Sequence, residues 1–296
     1  MANVAVFGLG AMGYGIAQSI LRAKHDVWGV DLDATAMHRF QSTGGAASDL
    51  EPGSLDAAVI VVLNADQTED VLFGPSGIVP RMKPEAVVLG CATVAPDFAR
   101  HMATRCEVHQ IHYLDAPISG GAAKAAAGQL SVIASGTRQA FDAARPVLDA
   151  MAETVFELGD DAGAGSAMKA VNQMLAGIHI AAMAEAMTFG MTQGIAPADF
   201  LRVISKCAGT SWMLENRAPH IVDGDYTPHS SVTIWPKDLG IVHDIAQSAG
   251  FDAPITDTAL AQYEKAMAMG LGAEDDAAVA KVYATQAGLT LPRAKN

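Results

Sequence analysis

Apolar positions in the first half of the chain gather into short runs, and these alternate with stretches whose apolar positions recur every three or four residues. The runs at 3–7 (NVAVF), 26–30 (DVWGV), 56–63 (DAAVIVVL), 85–91 (EAVVLGC), 110–116 (QIHYLDA), 129–135 (QLSVIAS) and 153–158 (ETVFEL) each read as a strand of a few residues. Helical patterns at 12–23, 33–42, 95–106 and 138–151 lie between most of them. Strands alternating with helices predict parallel pairing through right-handed crossovers, hence an α/β Rossmann-type domain with an open, doubly wound, mostly parallel sheet. Past Gly159 the strand signals fade. A long helix is predicted over about 166–193, followed by helices punctuated by GIAPADF, CAGTSW, DGDYTPHSS and GFDAPI. The glycine-rich GDDAGAG at 159–165 marks the boundary, giving an α/β domain over 1–160 and an all-helical domain over 161–296. A chain of 296 residues exceeds what one core usually organises, so two domains are expected on size as well.

Composition narrows the function classes. Half of the residues are hydrophobic and 17% are charged, which supports ample burial. The net charge of −13, with no Lys/Arg run, opposes a polyanion and excludes nucleic acid as the expected partner. A small anionic substrate fits only where a few cations or helix N-termini make a locally positive pocket. Cys91, Cys106 and Cys207 are odd in number and outside any metal-ligand spacing, so no disulfide framework and no metal site is expected, and a reducing cytoplasm fits. The start of the chain has no basic leader, so no cleavable signal is expected. Gln173, His179 and Glu185 interrupt the most apolar stretch, predicting a buried helix and no membrane partner.

Two local patterns carry chemistry. Gly8, Gly10 and Gly13 form G-x-G-x-x-G directly after the first strand, in the loop Gly8, Leu9, Gly10, Ala11, Met12, Gly13, and Asp31 ends the next strand. The first glycine permits a tight turn, the second lets backbone approach a pyrophosphate, and the third lets helix pack on strand. Asp31 accepts hydrogen bonds from ribose hydroxyls and repels a 2′-phosphate, so NAD is expected in preference to NADP. The second pattern is GAGSAMKAVNQMLAG, where Lys169 stands in an apolar segment with Asn172 and Gln173 on the same helical face. Spacing alone fits a solvated edge lysine with its stem along its neighbours. It also fits a general acid/base near a helix N-terminus, where dipole and burial both disfavour the ammonium.

The blocks FGLGAMGYGIAQSIL, CATVAP, DAPISGGAAKAAAGQLSVIASG, GSAMKAVNQML and WPKDLGIV, in this order, resemble the β-hydroxyacid dehydrogenase family, to which 3-hydroxyisobutyrate dehydrogenase and tartronate semialdehyde reductase belong. The resemblance implies an active site in the cleft between the two domains, with Lys169 as catalytic acid/base. It implies that Ser119, Gly120 and Gly121 anchor a substrate carboxylate, and that Asn172 and Gln173 contact the substrate. It also implies that Thr93, Leu63 and Asn64 line the nicotinamide side and that Lys237 reaches the cofactor end. Taken singly, these residues also read as strand-end residues, a strand-to-helix turn, and a solvated lysine paired with Asp238. The stretch AGTSWMLENRAPHIVDGDYTP is most similar to the L-threonate dehydrogenase subgroup, while Trp235-Pro236 departs from the family pattern. The expected function is NAD-dependent oxidation of a small hydroxy acid by a cytoplasmic homodimer or homotetramer. L-Threonate is the first substrate choice, with 3-hydroxyisobutyrate oxidation or tartronate semialdehyde reduction as alternatives, and a non-catalytic NAD-binding scaffold is the rival class.

His109 and His112 read as strand or edge residues, not ligands. Met168, Met174, Met183, Met187 and Met191 read as core filler or subunit-contact surface. Trp212 fits either a loop near the cleft or a packing role.

Overall fold

A computed structural model of the chain describes residues 1–46 and 50–294. The chain divides into two compact units, Met1–Lys169 and Ala170–Asn296. In the first, the opening apolar runs become β1 (Asn3–Phe7), β2 (Asp26–Val30), β3 (Ala57–Ile60), β4 (Val87–Gly90) and β5 (His112–Asp115), all paired in parallel in the order β2-β1-β3-β4-β5.

Alternate side chains of these strands enter two different cores. Val4, Val6, Ala57, Val59, Val87 and Leu89 pack with α1 (Ala11–Arg22) and α6 (Arg138–Met151). Ala5, Phe7, Ala58, Ile60 and Val88 pack with α3 (Ala65–Phe73) and α4 (Pro96–Val108) on the other face. Burial on both faces is why the strands read as continuous apolar runs instead of alternating ones. The helix α2 (Ala34–Gln41) lends Phe40 to the first core.

The later strands do not extend this sheet, although the sequence pattern predicts one sheet for all. The strands β7 (Leu130–Ala134) and β8 (Ala152–Glu157) pair in parallel, and β7 pairs antiparallel with the two-residue β6 (Ile118–Ser119). Pro117 explains the break: lacking an N–H, it cannot carry the β5 ladder onward, and the chain turns away to meet β7. The two sheets meet at an antiparallel bridge between Asp115 and Ser135. Between β6 and β7 runs the short α5 (Gly121–Ala127).

The long helix α7 (Ala164–Thr192) begins in the first unit. The second unit adds α8 (Pro197–Ile204), α9 (Trp212–Asp223), α10 (Ile234–Ser248), α11 (Pro254–Ala268) and α12 (Ala280–Gln286). Its core takes Ile180, Met183, Ala184 and Met187 from α7, at helical spacing, with Leu214, Ile221, Trp235, Leu239 and Tyr263. Length and composition alone would let α7 cross a membrane; one side of it packs into this core, and 44% of its most apolar window is buried. Trp235 stacks on Tyr263 and donates from Nε1 to Asp276, whose carboxylate also receives Arg217 Nε at 2.6 Å. Trp235 is therefore a core residue of this unit, which accounts for its presence ahead of Lys237.

Candidate active site

Phe7, Val30, Ile60, Gly90 and Asp115 lie in one register row across the parallel sheet. The chain leaves the sheet from that row at a single edge, and Gly8, Asp31, Leu63, Asn64, Thr93 and Ser119 all follow it within four residues. Strand order reverses between β1 and β3, the place where open α/β sheets bind ligands.

The three glycines of the first loop have three separate reasons to be glycine. Gly8 has φ +91°, and a Cβ there would lie 2.6 Å from the Val61 carbonyl oxygen. A Cβ on Gly13 would lie 1.8 Å from the Gly8 carbonyl oxygen, so the first turn of α1 closes directly on the loop. A Cβ on Gly10 would meet nothing within 4 Å. Gly10 is also the N-cap of α1 and supplies no side-chain hydrogen bond, which leaves the first amides of that helix available to an anionic ligand. Leu9 is buried, Met12 is half-buried against the first core, and Ala11 is exposed. This open, uncapped cradle fits a dinucleotide pyrophosphate.

Asp31 braces the loop. Its Oδ2 accepts from Leu9 N at 2.5 Å and its Oδ1 from Asp33 N at 2.8 Å. The N-cap of α2 is Asp33, which accepts from Thr35 N. Nearby, the Arg39 guanidinium lies 3.8 Å over the Tyr14 ring and donates to the Leu9 carbonyl at 3.4 Å.

Leu63 is half exposed, and its amide donates to Gln67 Oε1 at 2.9 Å. Asn64 is the N-cap of α3, its Oδ1 accepting from Gln67 N at 2.9 Å. Thr93 is half-buried between β4 and α4. Ser119 ends β6, and Gly120 and Gly121, at φ +136° and +77°, turn the chain into α5. Lys169 is 8% exposed, and its Nζ donates to the Ile118 carbonyl at 2.9 Å. The amine is thus held beside the Ser119 turn, not in bulk solvent.

The other candidates belong to the second unit. Gln173 is buried, accepts from Asn172 Nδ2 at 2.9 Å, and donates from Nε2 to Asp238 Oδ2. Asp238, 2% exposed, also faces Lys237 Nζ at 2.7 Å. One carboxylate therefore fixes both a residue of α7 and the lysine of α10. Sequence reasoning passes over Asp238 and Asp115, the buried carboxylates that tie these segments together. Each is an acid within an apolar run, YLDAPI or PKDLGIV, where a charge has to be partnered. His112 pairs with Glu85, and His109 caps α4 near Phe73. Trp212 opens α9 and is 63% exposed.

Residues 3–159 match the family model described as the NAD binding domain of 6-phosphogluconate dehydrogenase. Residues 163–283 match the one described as NAD-binding of NADP-dependent 3-hydroxyisobutyrate dehydrogenase. The chain is 46% identical over 293 residues to L-threonate dehydrogenase of Cupriavidus necator, covering 98% of each. It is 44% identical over 297 residues to L-threonate dehydrogenase of Pectobacterium atrosepticum, covering 99% of this chain and 96% of that one. A crystal structure of 3-hydroxyisobutyrate dehydrogenase from Salmonella typhimurium superposes with a TM-score of 0.90 at 44% identity, over 95% of this chain and all of that one.

Proposed function

Because this chain belongs to the NAD(P)-dependent β-hydroxyacid dehydrogenase family of 3-hydroxyisobutyrate dehydrogenase and its relatives, we propose that L-threonate is the hydroxy acid it oxidises. The preference for L-threonate rests on the identity to L-threonate dehydrogenases over nearly the whole chain. The reading of the site rests on one observation: a buried amine, Lys169 Nζ, held by the Ile118 carbonyl next to the Ser119 turn. The substrate carboxylate is received by the Ser119 hydroxyl and the backbone amides of Gly120 and Gly121. Lys169 takes the proton of the substrate's secondary hydroxyl as the carbinol carbon gives up its hydride, and returns it in the reverse direction. Bound NAD supplies the hydride acceptor. Asn172 and Gln173 contact substrate oxygens, Leu63, Asn64 and Thr93 line the nicotinamide side, and Lys237 serves the cofactor. In this assignment residues 1–160 bind NAD, and 161–296 serve substrate binding and subunit contact.

Asp31 supports NAD over NADP, since a 2′-phosphate would meet its carboxylate. The test is relative kcat/KM for oxidation of L-threonate and 3-hydroxyisobutyrate with NAD and NADP, and for reduction of tartronate semialdehyde with NADH and NADPH. L-Threonate with NAD should exceed every other combination by about tenfold or more, within what one or two pocket contacts supply. A different leading substrate would overturn the choice, and silence with all of them beside measurable NAD binding would favour a scaffold.

We also propose a cytoplasmic homodimer or homotetramer. Met168, Val171, Leu175 and Phe189 are exposed along α7, and the successive residues Met168, Leu175 and Phe189 are spaced by multiples of seven, as in a helical contact seam. Cys91, Cys106 and Cys207 are free thiols, as a reducing compartment permits. Light scattering on protein from the cytosolic fraction should give a multiple of 30.6 kDa, and a reading of one chain mass would reject the assembly.

A further inference from the structure

The most heavily bonded buried carboxylate of the first unit belongs to none of the groups assigned above. Asp115 is fully buried at the end of β5. Its Oδ2 accepts from Gly163 N at 2.9 Å, Ser166 N at 2.8 Å and Ser135 Oγ at 3.4 Å, and its Oδ1 accepts from Ser166 Oγ at 2.7 Å. Its own amide and carbonyl are tied to Ser135 O and N at 3.0 and 2.8 Å. Ser135 Oγ accepts in turn from Gly165 N at 3.0 Å. The first turn of α7 therefore takes its cap from a strand, not from its own preceding residues. Burial pushes the Asp115 carboxyl above the usual carboxylate range, and the donors from Ser166, Gly163 and Ser135 pull it back.

Three residues beyond Asp115, Ile118 presents the carbonyl that holds Lys169 Nζ, and Ser119 to Gly121 follow at once. Segment 115–121 thus grips α7 at two points, its N-terminus through Asp115 and its lysine through Ile118, and then supplies the turn assigned to the substrate carboxylate. The backbone of α7 also lies close against both strands here: a Cβ on Gly165 would lie 2.5 Å from the Ile133 carbonyl oxygen and 2.9 Å from that of Asp115.

We propose that Asp115, through Ser166 and Ser135, is a positioning residue for the proton-transfer step, fixing the distance between the Lys169 amine and the Ser119–Gly121 turn. The proposal rests on the assignment of Lys169 as acid/base. Proximity effects make such a distance kinetically sensitive, since small misplacements of reacting groups cost large factors in rate.

The test compares Asp115→Asn, Ser166→Ala and Lys169→Ala with wild type, each normalised to sites titrated with NAD. Asparagine can keep one oxygen on the amides of Gly163 and Ser166 only by turning its NH2 to Ser166 Oγ, so the charge is lost and that hydroxyl has to accept where it now donates. Asp115→Asn should lower kcat per NAD-binding site about 30-fold, with KM for L-threonate within about twofold and a larger deuterium isotope effect at the carbinol carbon. Ser166→Ala, which leaves the carboxylate in place, should lower kcat by about 3- to 10-fold, and the double variant by less than the product of the two, because both act through one contact. A merely structural role would reduce the number of sites but leave kcat per site and the isotope effect unchanged, and that result overturns the proposal. If Asp115→Asn does not fold, wild-type kcat per site in Ser166→Ala overturns it equally. Full turnover in Lys169→Ala would instead refute the lysine assignment itself.

Discussion

Replacing Lys169 with alanine should lower kcat by on the order of 10² to 10⁴, the range a positioned general acid/base contributes, while the Kd for NAD stays within a factor of about two. The amine sits at 8% exposure with its Nζ on the Ile118 carbonyl, and alanine removes that donor. That carbonyl follows Pro117 in a short strand whose pairing with β7 is otherwise intact, so the structural cost is local. The glycine loop and Asp31 are formed by other elements and should bind the cofactor unchanged. Steady-state kinetics beside a fluorescence titration with NAD separates the two effects. Turnover within a factor of about three of wild type would remove the lysine from proton transfer.

Gly13→Ala should abolish measurable NAD binding, a loss of at least about 100-fold, whereas Gly10→Ala should fold normally and weaken NAD by about tenfold. The contrast follows from two distances. A methyl group on residue 13 would overlap the Gly8 carbonyl oxygen at 1.8 Å, and Gly8 itself lies so close to Val61 that a Cβ there would be 2.6 Å from its carbonyl oxygen. The loop must open or α1 must lift from β1, either of which destroys the cradle. A methyl group on residue 10 meets no protein atom, so it enters the space the phosphates need. Calorimetric titration with NAD and a thermal melt of each variant check both halves. If Gly10→Ala proved the worse for stability, the assignment of that space to the ligand would be wrong.

The parts of this molecule legible in its sequence are those fixed by local pattern. The helix predicted over about 166–193 is α7 at Ala164–Thr192, because its apolar spacing runs unbroken from one glycine-rich boundary to the other. The loop from Gly8 to Gly13 and the acid at 31 are likewise read from spacing. Two helices escape such reading. The helix α5, GAAKAAA, has no apolar periodicity at all and is signalled only by alanine propensity. The helix α3 announces itself only by Asn64 and Gln67, a capping pair three residues apart that a search for apolar faces passes over. The division into two sheets is hidden for a different reason: a strand run names no partner, and Pro117 alone indicates where the ladder stops. Least legible of all is Asp115, whose partner Ser166 is 51 residues away. Nothing in local spacing connects the two.

The carboxylate of Asp31 already carries two backbone amides, those of Leu9 and Asp33, before any ribose arrives. Retooling this chain for a 2′-phosphorylated cofactor by exchanging that acid would therefore also slacken the turn that receives the phosphates. With Asp31 in the ribose-binding role proposed for it, coenzyme choice and stiffness of the turn are coupled, and a redesign has to bring in a cation for the extra phosphate together with a fresh acceptor for both amides.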